Sequence, residues 1–239
     1  MTDRFRTTLR SGILELRFDD GGMNLLSAEA LSELSSVLDA MPSGVRLLAF
    51  RSGRRGLFAA GADMAEMKEF DWRDAVGFAE KGQTLFGRIE RLPFPTAAII
   101  DGDCFGGALD LAMSFDFRFS SAASRFSHPG SKIGIPTGFG GTSRWRKLIG
   151  RTAAARLLLD NAVFDAAGAE RIGMVDEVCD PEGAELEARL QRLSRTDGPW
   201  FASVREILSA SERLTPQQVH LLAKRHAELH SSGGSHGTA

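Results

Sequence analysis

The chain has 239 residues, which is enough for one substantial hydrophobic core with a small appended element. Hydrophobic residues make up 43% and charged residues 25%, as is typical of a soluble globular protein. The formal net charge of −2 argues against nucleic acid or an anionic membrane as a partner, and two cysteines are too few for a disulfide framework or a metal cluster. No apolar run approaches the roughly 20 residues that cross a bilayer, and the N-terminus lacks the apolar core of a signal peptide, so we expect a cytoplasmic protein.

Strand and helix patterns alternate along the first part of the chain. Short apolar runs predict strands at residues 13–18, 45–50, 97–100, 117–120 and 125–127. Ser27 is placed to cap a helix with leucines at helical spacing, and residues 71–92 carry a second helical pattern. Repeated strand-then-helix units predict an α/β fold with a largely parallel sheet and right-handed crossovers.

The C-terminal third has a helical pattern without strands. Residues 182–193 and 202–208 are amphipathic, and Thr215 followed by Pro216 is typical of a further helix start. The final segment is rich in Ser and Gly, so we expect it to be disordered. The predicted organisation is a core over residues 1–190, a helical element over 191–230 and a disordered tail over 231–239.

A glycine-rich junction follows the apolar run at residues 97–100. It contains Gly102, Gly106 and Gly107, after which the chain turns helical with Asp110 about one turn inside the helix. Glycines let the backbone approach a ligand closely, and a helix that begins there directs free N–H groups and the positive end of its dipole outward. This arrangement suits an anion, or an oxygen that becomes one during a reaction.

A second glycine segment, FAAGAD at residues 58–63, lies upstream of DGDCFGGALDLA at residues 101–112. Together with the region over residues 125–178, these motifs have the order and spacing of the crotonase (enoyl-CoA hydratase/isomerase) superfamily, which the chain resembles. The resemblance implies a crotonase-like ββα spiral core with a C-terminal helical element that trimerises the chain and closes over the substrate. It also implies a homotrimer or dimer of trimers, an acyl-CoA thioester as substrate, and no permanently bound cofactor, because coenzyme A arrives with the substrate.

The resemblance assigns two oxyanion donors to the backbone N–H groups of Ala62 and Gly107. Such donors stabilise the negative charge that a thioester carbonyl oxygen gains during the reaction. Typical hydratases of the superfamily carry two glutamates, and the corresponding positions here are Asp110 and Gly130. Because hydration needs one group to activate water and a group to manage the α-carbon proton, a single carboxylate favours isomerisation or an atypical hydratase or lyase reaction over standard hydration.

Two acid–base candidates each have an alternative structural role. His128 titrates near neutral pH and is a catalytic candidate, or it ends a strand and makes only structural hydrogen bonds. Enclosure of Asp110 beside an apolar acyl chain would raise its pKa into the range that suits proton transfer, or its charge only complements the helix dipole.

The resemblance also implies two sets of binding residues. Arg54 and Arg55 are placed to meet phosphate, and Asp63 either faces coenzyme A or caps the helix that begins there. The coenzyme A set is Asn24, Leu25, Leu26, Arg54, Arg55, Ala60 and Asp63. The acyl-pocket set is Met67, Phe105, Gly130, Thr137 and Gly138.

Three function classes follow from these residues. The first is an acyl-CoA enzyme of the hydratase/isomerase type, in which one carboxylate moves a proton. The second is a thioester hydrolase or decarboxylase on the same scaffold. The third is a non-catalytic member that binds an acyl-CoA or a protein partner.

Overall fold

The computed structural model describes residues 4–132 and 134–209, and its two compact units divide between Arg195 and Thr196. The strands are β1 (Phe5–Arg10), β2 (Ile13–Phe18), β3 (Leu25–Leu26), β4 (Leu47–Ser52), β5 (Leu57–Ala59), β6 (Gly61–Ala62), β7 (Thr96–Ile100), β8 (Asp103–Phe105), β9 (Phe117–Ser120), β10 (Arg125–Ser127), β11 (Phe164–Asp165) and β12 (Glu177–Val178). The helices are α1 (Ala28–Asp39), α2 (Met64–Met67), α3 (Trp72–Ile89), α4 (Gly107–Ala112), α5 (Gly141–Leu159), α6 (Ala166–Arg171), α7 (Ala184–Leu193) and, in the second unit, α8 (Gly198–Ser209).

The main sheet has the strand order β1-β2-β4-β7-β9-β12. β1 and β2 form an antiparallel hairpin, and the pairs from β2 to β12 are parallel. Leu48 and Phe50 of β4 join the main core, whereas Leu47 and Ala49 join a smaller cluster with Leu186 of α7. Apolar side chains on both faces are expected of parallel strands, because helices cover each side of such a sheet.

Two smaller sheets position the glycine segments. One has the strand order β11-β10-β8-β5, and the other pairs β3 with β6 in parallel. β6 ends at Ala62, and β8 ends at Phe105, directly before Gly106 and the start of α4. The short strands therefore bring both segments to the same region of the first unit.

The elements agree with the sequence patterns where an apolar signal is present. The five predicted strands correspond to β2, β4, β7, β9 and β10, with β4 shifted by two residues toward the C-terminus. Ser27 caps α1, as predicted, by accepting a hydrogen bond from Ala30 N at 3.1 Å. β1 is not predicted from the sequence. Its side chains beyond Phe5 are exposed, so its residues do not form a regular apolar pattern.

The first unit extends through α7. The predicted boundary between residues 190 and 191 falls inside this helix, whose Leu186 and Leu190 are buried in the smaller cluster. The predicted helix start at Thr215 and the tail over 231–239 lie outside the described residues, so most of the trimerising element remains a prediction. Among the helices of the described ranges, none is long and apolar enough to cross a membrane.

Candidate active site

The two glycine segments come into close contact. Gly61 has a φ of +102° and Gly106 a φ of +56°, backbone conformations that glycine adopts far more readily than other residues. A β-carbon added to Gly61 would lie 2.7 Å from the Phe105 carbonyl oxygen and 3.0 Å from the Gly107 nitrogen. A side chain at position 61 would therefore force the segments apart.

The two predicted oxyanion donors are neighbours at this junction. A β-carbon added to Gly107 would lie 3.4 Å from the Ala62 nitrogen. Gly107 is the first residue of α4, so its N–H has no acceptor within the helix and lies at the positive end of the helix dipole. Two main-chain N–H groups placed in this way suit an oxygen that gains negative charge.

Asp110 lies one turn into α4, and its side chain is wholly buried. Burial raises the pKa of this carboxyl to about 7, and a hydrogen bond from Thr137 and the positive charge of Arg144 oppose the rise. The Thr137 hydroxyl donates that hydrogen bond to Asp110 Oδ2. A carboxyl with a pKa near 7 both gains and loses a proton readily at neutral pH, as a general acid–base must.

The carboxylate of Asp110 lies against the start of α5. A β-carbon added to Gly141, the first residue of that helix, would lie 1.8 Å from Asp110 Oδ1. The same added carbon would lie 2.7 Å from Cε2 and from Cζ2 of Trp145, which is one helical turn further along. The absence of a side chain at Gly141 therefore allows Asp110 and Trp145 to approach each other.

His128 packs against the same tryptophan. The ring centroids of His128 and Trp145 are 5.0 Å apart, with an interplanar angle of 61°. His128 Nδ1 accepts a hydrogen bond from the Gly130 N–H at 3.3 Å, which leaves the proton of a neutral ring on Nε2. Burial lowers the pKa of His128, so the ring is neutral at pH 7. The structure thus joins His128 to the Asp110 cluster through Trp145, and its catalytic role remains a prediction.

Backbone atoms occupy the space beside Gly130, where typical hydratases carry their second glutamate. A β-carbon added to Gly130 would lie 2.3 Å from the Ile135 carbonyl oxygen and 2.7 Å from His128 Cε1. The Ile135 N–H donates to the Gly130 carbonyl oxygen at 3.0 Å, which folds this loop back on itself. A glutamate does not fit at position 130 unless the loop moves.

Two members of the coenzyme A set have wholly buried side chains. The Asn24 amide donates hydrogen bonds to the carbonyl oxygens of Phe18 and Phe58, both at 3.1 Å. Leu26 belongs to the main core. Because these side chains stabilise the loop and the core, Asn24 and Leu26 can reach a ligand only through their backbone atoms, which the sequence pattern does not reveal.

The other members of the coenzyme A set are more accessible. Arg54 and Arg55 are exposed, and Arg54 lies 3.8 Å from Asp19 in a surface ion pair, a type that contributes little to stability. Leu25 and Ala60 are half-buried.

Asp63 caps α2. Its Oδ1 accepts hydrogen bonds from Ala65 N at 2.9 Å and Glu66 N at 3.1 Å, so the capping alternative for this residue is confirmed.

The members of the acyl-pocket set differ in their surroundings. Thr137 contacts Asp110 directly, and Gly138 follows it in the chain. Met67 packs on the edge of the main core, and the Phe105 ring lies 5.8 Å from the Arg125 guanidinium.

Two contacts of Asp110 are not predicted from the sequence. The Thr137 hydroxyl donates to the carboxylate, whereas the sequence places Thr137 only in the pocket wall. Trp145 approaches the same carboxylate beside Gly141. The signal that could have predicted the Trp145 contact is the four-residue spacing between Gly141 and Trp145. Residues four apart lie on the same helix face, so the large ring adjoins a position that has no side chain.

Comparisons with known proteins agree with the motifs. The sequence profile described as enoyl-CoA hydratase/isomerase matches residues 8–233. A crotonyl-CoA hydratase of Syntrophomonas wolfei is 36% identical over 162 residues, or 67% of this chain and 62% of that protein. A short-chain-enoyl-CoA hydratase of Clostridium acetobutylicum is 35% identical over 162 residues, or 66% of this chain and 62% of that protein. The matched segment thus spans less than two thirds of the length of these relatives.

The fold also matches a solved structure. A crystal structure of an enoyl-CoA hydratase from Thermoplasma volcanium superposes with a TM-score of 0.88 over 97% of this chain and 94% of that chain, at 24% sequence identity. This similarity confirms the α/β spiral core that the motifs predict. Because the family profile covers most of the sequence, the chain belongs to the enoyl-CoA hydratase/isomerase family.

Proposed function

We propose that this protein is an acyl-CoA-processing enzyme in which Asp110 acts as the general base and the general acid. The observation that carries the proposal is a wholly buried carboxyl, with a pKa of about 7, one helical turn from the Gly107 N–H. The named hydratases among its relatives support a CoA thioester as the substrate class. Coenzyme A enters as part of that substrate, and no resident cofactor is needed for the proton transfer.

The reaction begins at the carbon next to the thioester. Removal of an α-proton, or addition of a nucleophile to a conjugated double bond, moves electrons onto the thioester oxygen. The N–H groups of Ala62 and Gly107 stabilise the resulting enolate, a role in which one donor contributes a few kcal/mol. Asp110 accepts and returns the proton, for which a pKa near the working pH is best suited.

A single carboxylate is enough for isomerisation, because the proton removed at one carbon can be returned at another. It also permits an atypical hydratase or lyase reaction in which the same group handles both protons. The loop at Gly130 has no room for a second glutamate, which disfavours the two-glutamate mechanism. Arg54 and Arg55 are the proposed phosphate contacts, and the proposed assembly is a homotrimer or a dimer of trimers.

Hydrogen–deuterium exchange at the α-carbon of a saturated acyl-CoA tests this proposal. The wild-type protein should exchange the α-protons with deuterated solvent, as followed by NMR. The D110N variant should lose at least about 100-fold in exchange rate, because it lacks the general base, while it still binds acyl-CoA in a thermal-shift titration. The D160N variant, which alters an exposed aspartate at the end of α5, is the matched control and should exchange normally.

Other outcomes assign the protein to another function class. Exchange that survives in D110N removes Asp110 from the mechanism. Steady release of free coenzyme A by the wild-type protein indicates the hydrolase alternative, and a failure to bind any acyl-CoA in a panel of chain lengths indicates a protein-binding member.

A further inference from the structure

Two buried polar atoms in the site have no hydrogen-bond partner among the residues that the structure describes. They are Oδ1 of Asp110 and Nε1 of Trp145, and both side chains are wholly buried. Buried polar groups in proteins are almost always hydrogen-bonded, and each unpaired one carries a desolvation cost. One of these atoms accepts a hydrogen bond and the other donates one, so a single group that can do both would satisfy the pair.

The two atoms are close enough to share one partner. A β-carbon added to Gly141 would lie 1.8 Å from Asp110 Oδ1 and 2.7 Å from Trp145 Cε2, the ring carbon bonded to Nε1. These contacts bring Oδ1 within about 6 Å of Nε1, and one oxygen that lies about 3 Å from each atom spans this distance. The two atoms form no direct hydrogen bond with each other, so neither satisfies the other.

The partner has a defined chemistry. It must accept from the indole N–H and donate to a carboxylate, which a water or an alcohol does and a carbonyl oxygen does not. An oxygen at this place touches the one carboxylate that the proposed function uses.

We propose that Trp145 and Asp110 bind the oxygen of the water that adds to an acyl-CoA double bond, and afterwards the same oxygen as the 3-hydroxyl of the product. This inference rests on the proposed function and narrows it, because an isomerase has no use for such a water. Trp145 positions the oxygen and exchanges no proton. Its N–H supplies a hydrogen bond in a site where Gly130 stands in place of the second glutamate.

The reaction balances with one carboxylate. The bound water gives a proton to Asp110 as its oxygen bonds to C3, and the electrons of the double bond move onto the thioester oxygen between Ala62 N and Gly107 N. The enolate then collapses and takes that same proton from Asp110 at C2. The double bond gains one hydrogen and one hydroxyl, and Asp110 returns to its ionised form.

The W145F variant tests the proposal, because it removes the indole N–H and keeps an aromatic ring at the position. Two rates are compared: hydration of a short enoyl-CoA such as crotonyl-CoA, and α-proton exchange of a saturated acyl-CoA, in which no water oxygen adds to the substrate. We expect hydration by W145F to fall about 10-fold, as for the loss of one hydrogen bond to the reacting group, and exchange to stay within about 2-fold. The W72F variant, altered at an exposed tryptophan, should match the wild type in both assays.

The outcomes separate this inference from the proposed function. Equal losses of hydration and exchange in W145F, or no loss of hydration, overturn the role of Trp145. A wild-type protein that exchanges α-protons but hydrates no enoyl-CoA of a chain-length panel overturns the water site and leaves the proposed function intact. A wild-type protein that does neither overturns the proposed function itself.

A crystal structure of the wild-type protein gives a second test that does not depend on the folding of W145F. We expect an ordered oxygen within hydrogen-bond distance of both Trp145 Nε1 and Asp110 Oδ1. Electron density that places the indole N–H on another protein acceptor overturns the proposal.

Discussion

At the scale of the single residue, Asp110 combines a cost to stability with a pKa that suits the proposed reaction. Its complete burial favours the neutral acid, and the Thr137 hydroxyl and the charge of Arg144 only partly offset this effect. The balance leaves a pKa of about 7, which suits proton transfer at neutral pH. The same burial destabilises the folded protein when the side chain is ionised, and this loss of stability can be measured without any substrate.

The D110N variant should be more stable than the wild type at high pH. In the unfolded chain the aspartate titrates near 3.8, and in the folded chain near 7, so the folded state binds the proton more tightly. Protonation of Asp110 stabilises the folded state fully below pH 4, and this stabilisation is lost as the pH rises through 7. Asparagine does not titrate, so the variant should gain on the order of 4 kcal/mol relative to the wild type between pH 4 and pH 8. Urea unfolding across this pH range measures the difference.

The exposed D160N substitution is again the control, and its stability relative to the wild type should change little with pH. A difference between D110N and the wild type that stays constant from pH 4 to pH 8 would mean that Asp110 titrates normally in the folded protein.

At the scale of the element, the site depends on how closely two short segments approach. β6 and the start of α4 meet where neither has a side chain: Gly61 lies beside the Phe105 carbonyl and the Gly107 nitrogen. Neither segment forms a donor pair alone. Their contact, and not the identity of any polar side chain, places Ala62 N and Gly107 N together.

The G61A variant should therefore lose the proposed activity, because the substitution moves the backbone at the two N–H groups. Alanine is strained at a φ of +102°, and its β-carbon would lie 3.0 Å from the Gly107 nitrogen. We expect the free energy of unfolding to fall by about 1–3 kcal/mol and α-proton exchange to fall about 100-fold as the donors separate. Urea unfolding and the NMR exchange assay measure the two effects.

The matched control is G77A, because Gly77 is exposed on α3 and an added β-carbon meets no atom within 4 Å. Alanine favours the helix, so this variant should be about 0.5–1 kcal/mol more stable, with exchange unchanged. Normal exchange by a folded G61A protein would show that the donors do not need this close contact.

At the scale of the whole molecule, the sequence predicts the elements that follow regular apolar patterns. β2 and β7 are clear because their apolar residues fill one or both faces of a sheet. α4 and its early Asp110 follow from the glycine junction. β5 and β8 are three residues long, which is too short for a periodic signal, although they place the site.

The cluster around Asp110 could not be predicted for a different reason. Thr137 and Trp145 lie 27 and 35 positions along the chain from Asp110, and no local pattern records which side chains meet across such separations. The steric exclusion at Gly130 likewise depends on Ile135 folding back, which is a property of the loop and not of the motif.

A long-range contact at the edge of the main sheet also could not be predicted from the sequence. Arg118 of β9 is almost wholly buried and donates to the carbonyl oxygens of Met174 at 2.9 Å and Phe115 at 2.7 Å. Its guanidinium lies 2.8 Å from Asp176, which also accepts the Arg118 backbone N–H at 2.8 Å. Arg118 and Asp176 thus tie β9 to the segment that leads into β12, at the edge of the sheet.

The D176A variant should destabilise the protein, because it removes the larger of the two carboxylate charges, Asp176 and Asp116, that act on the buried Arg118 guanidinium. It also removes the acceptor of the Arg118 backbone N–H. We expect a loss of at least about 2 kcal/mol in the free energy of unfolding. This loss is smaller than that for breaking a fully buried ion pair, because Asp176 is partly exposed. The control is D39A, which breaks the surface ion pair with Arg88 and should cost less than about 1 kcal/mol. Urea unfolding with an unchanged m-value measures both. If D176A loses no more stability than D39A, the carbonyl oxygens of Met174 and Phe115 and the charge of Asp116 are sufficient to hold the buried arginine.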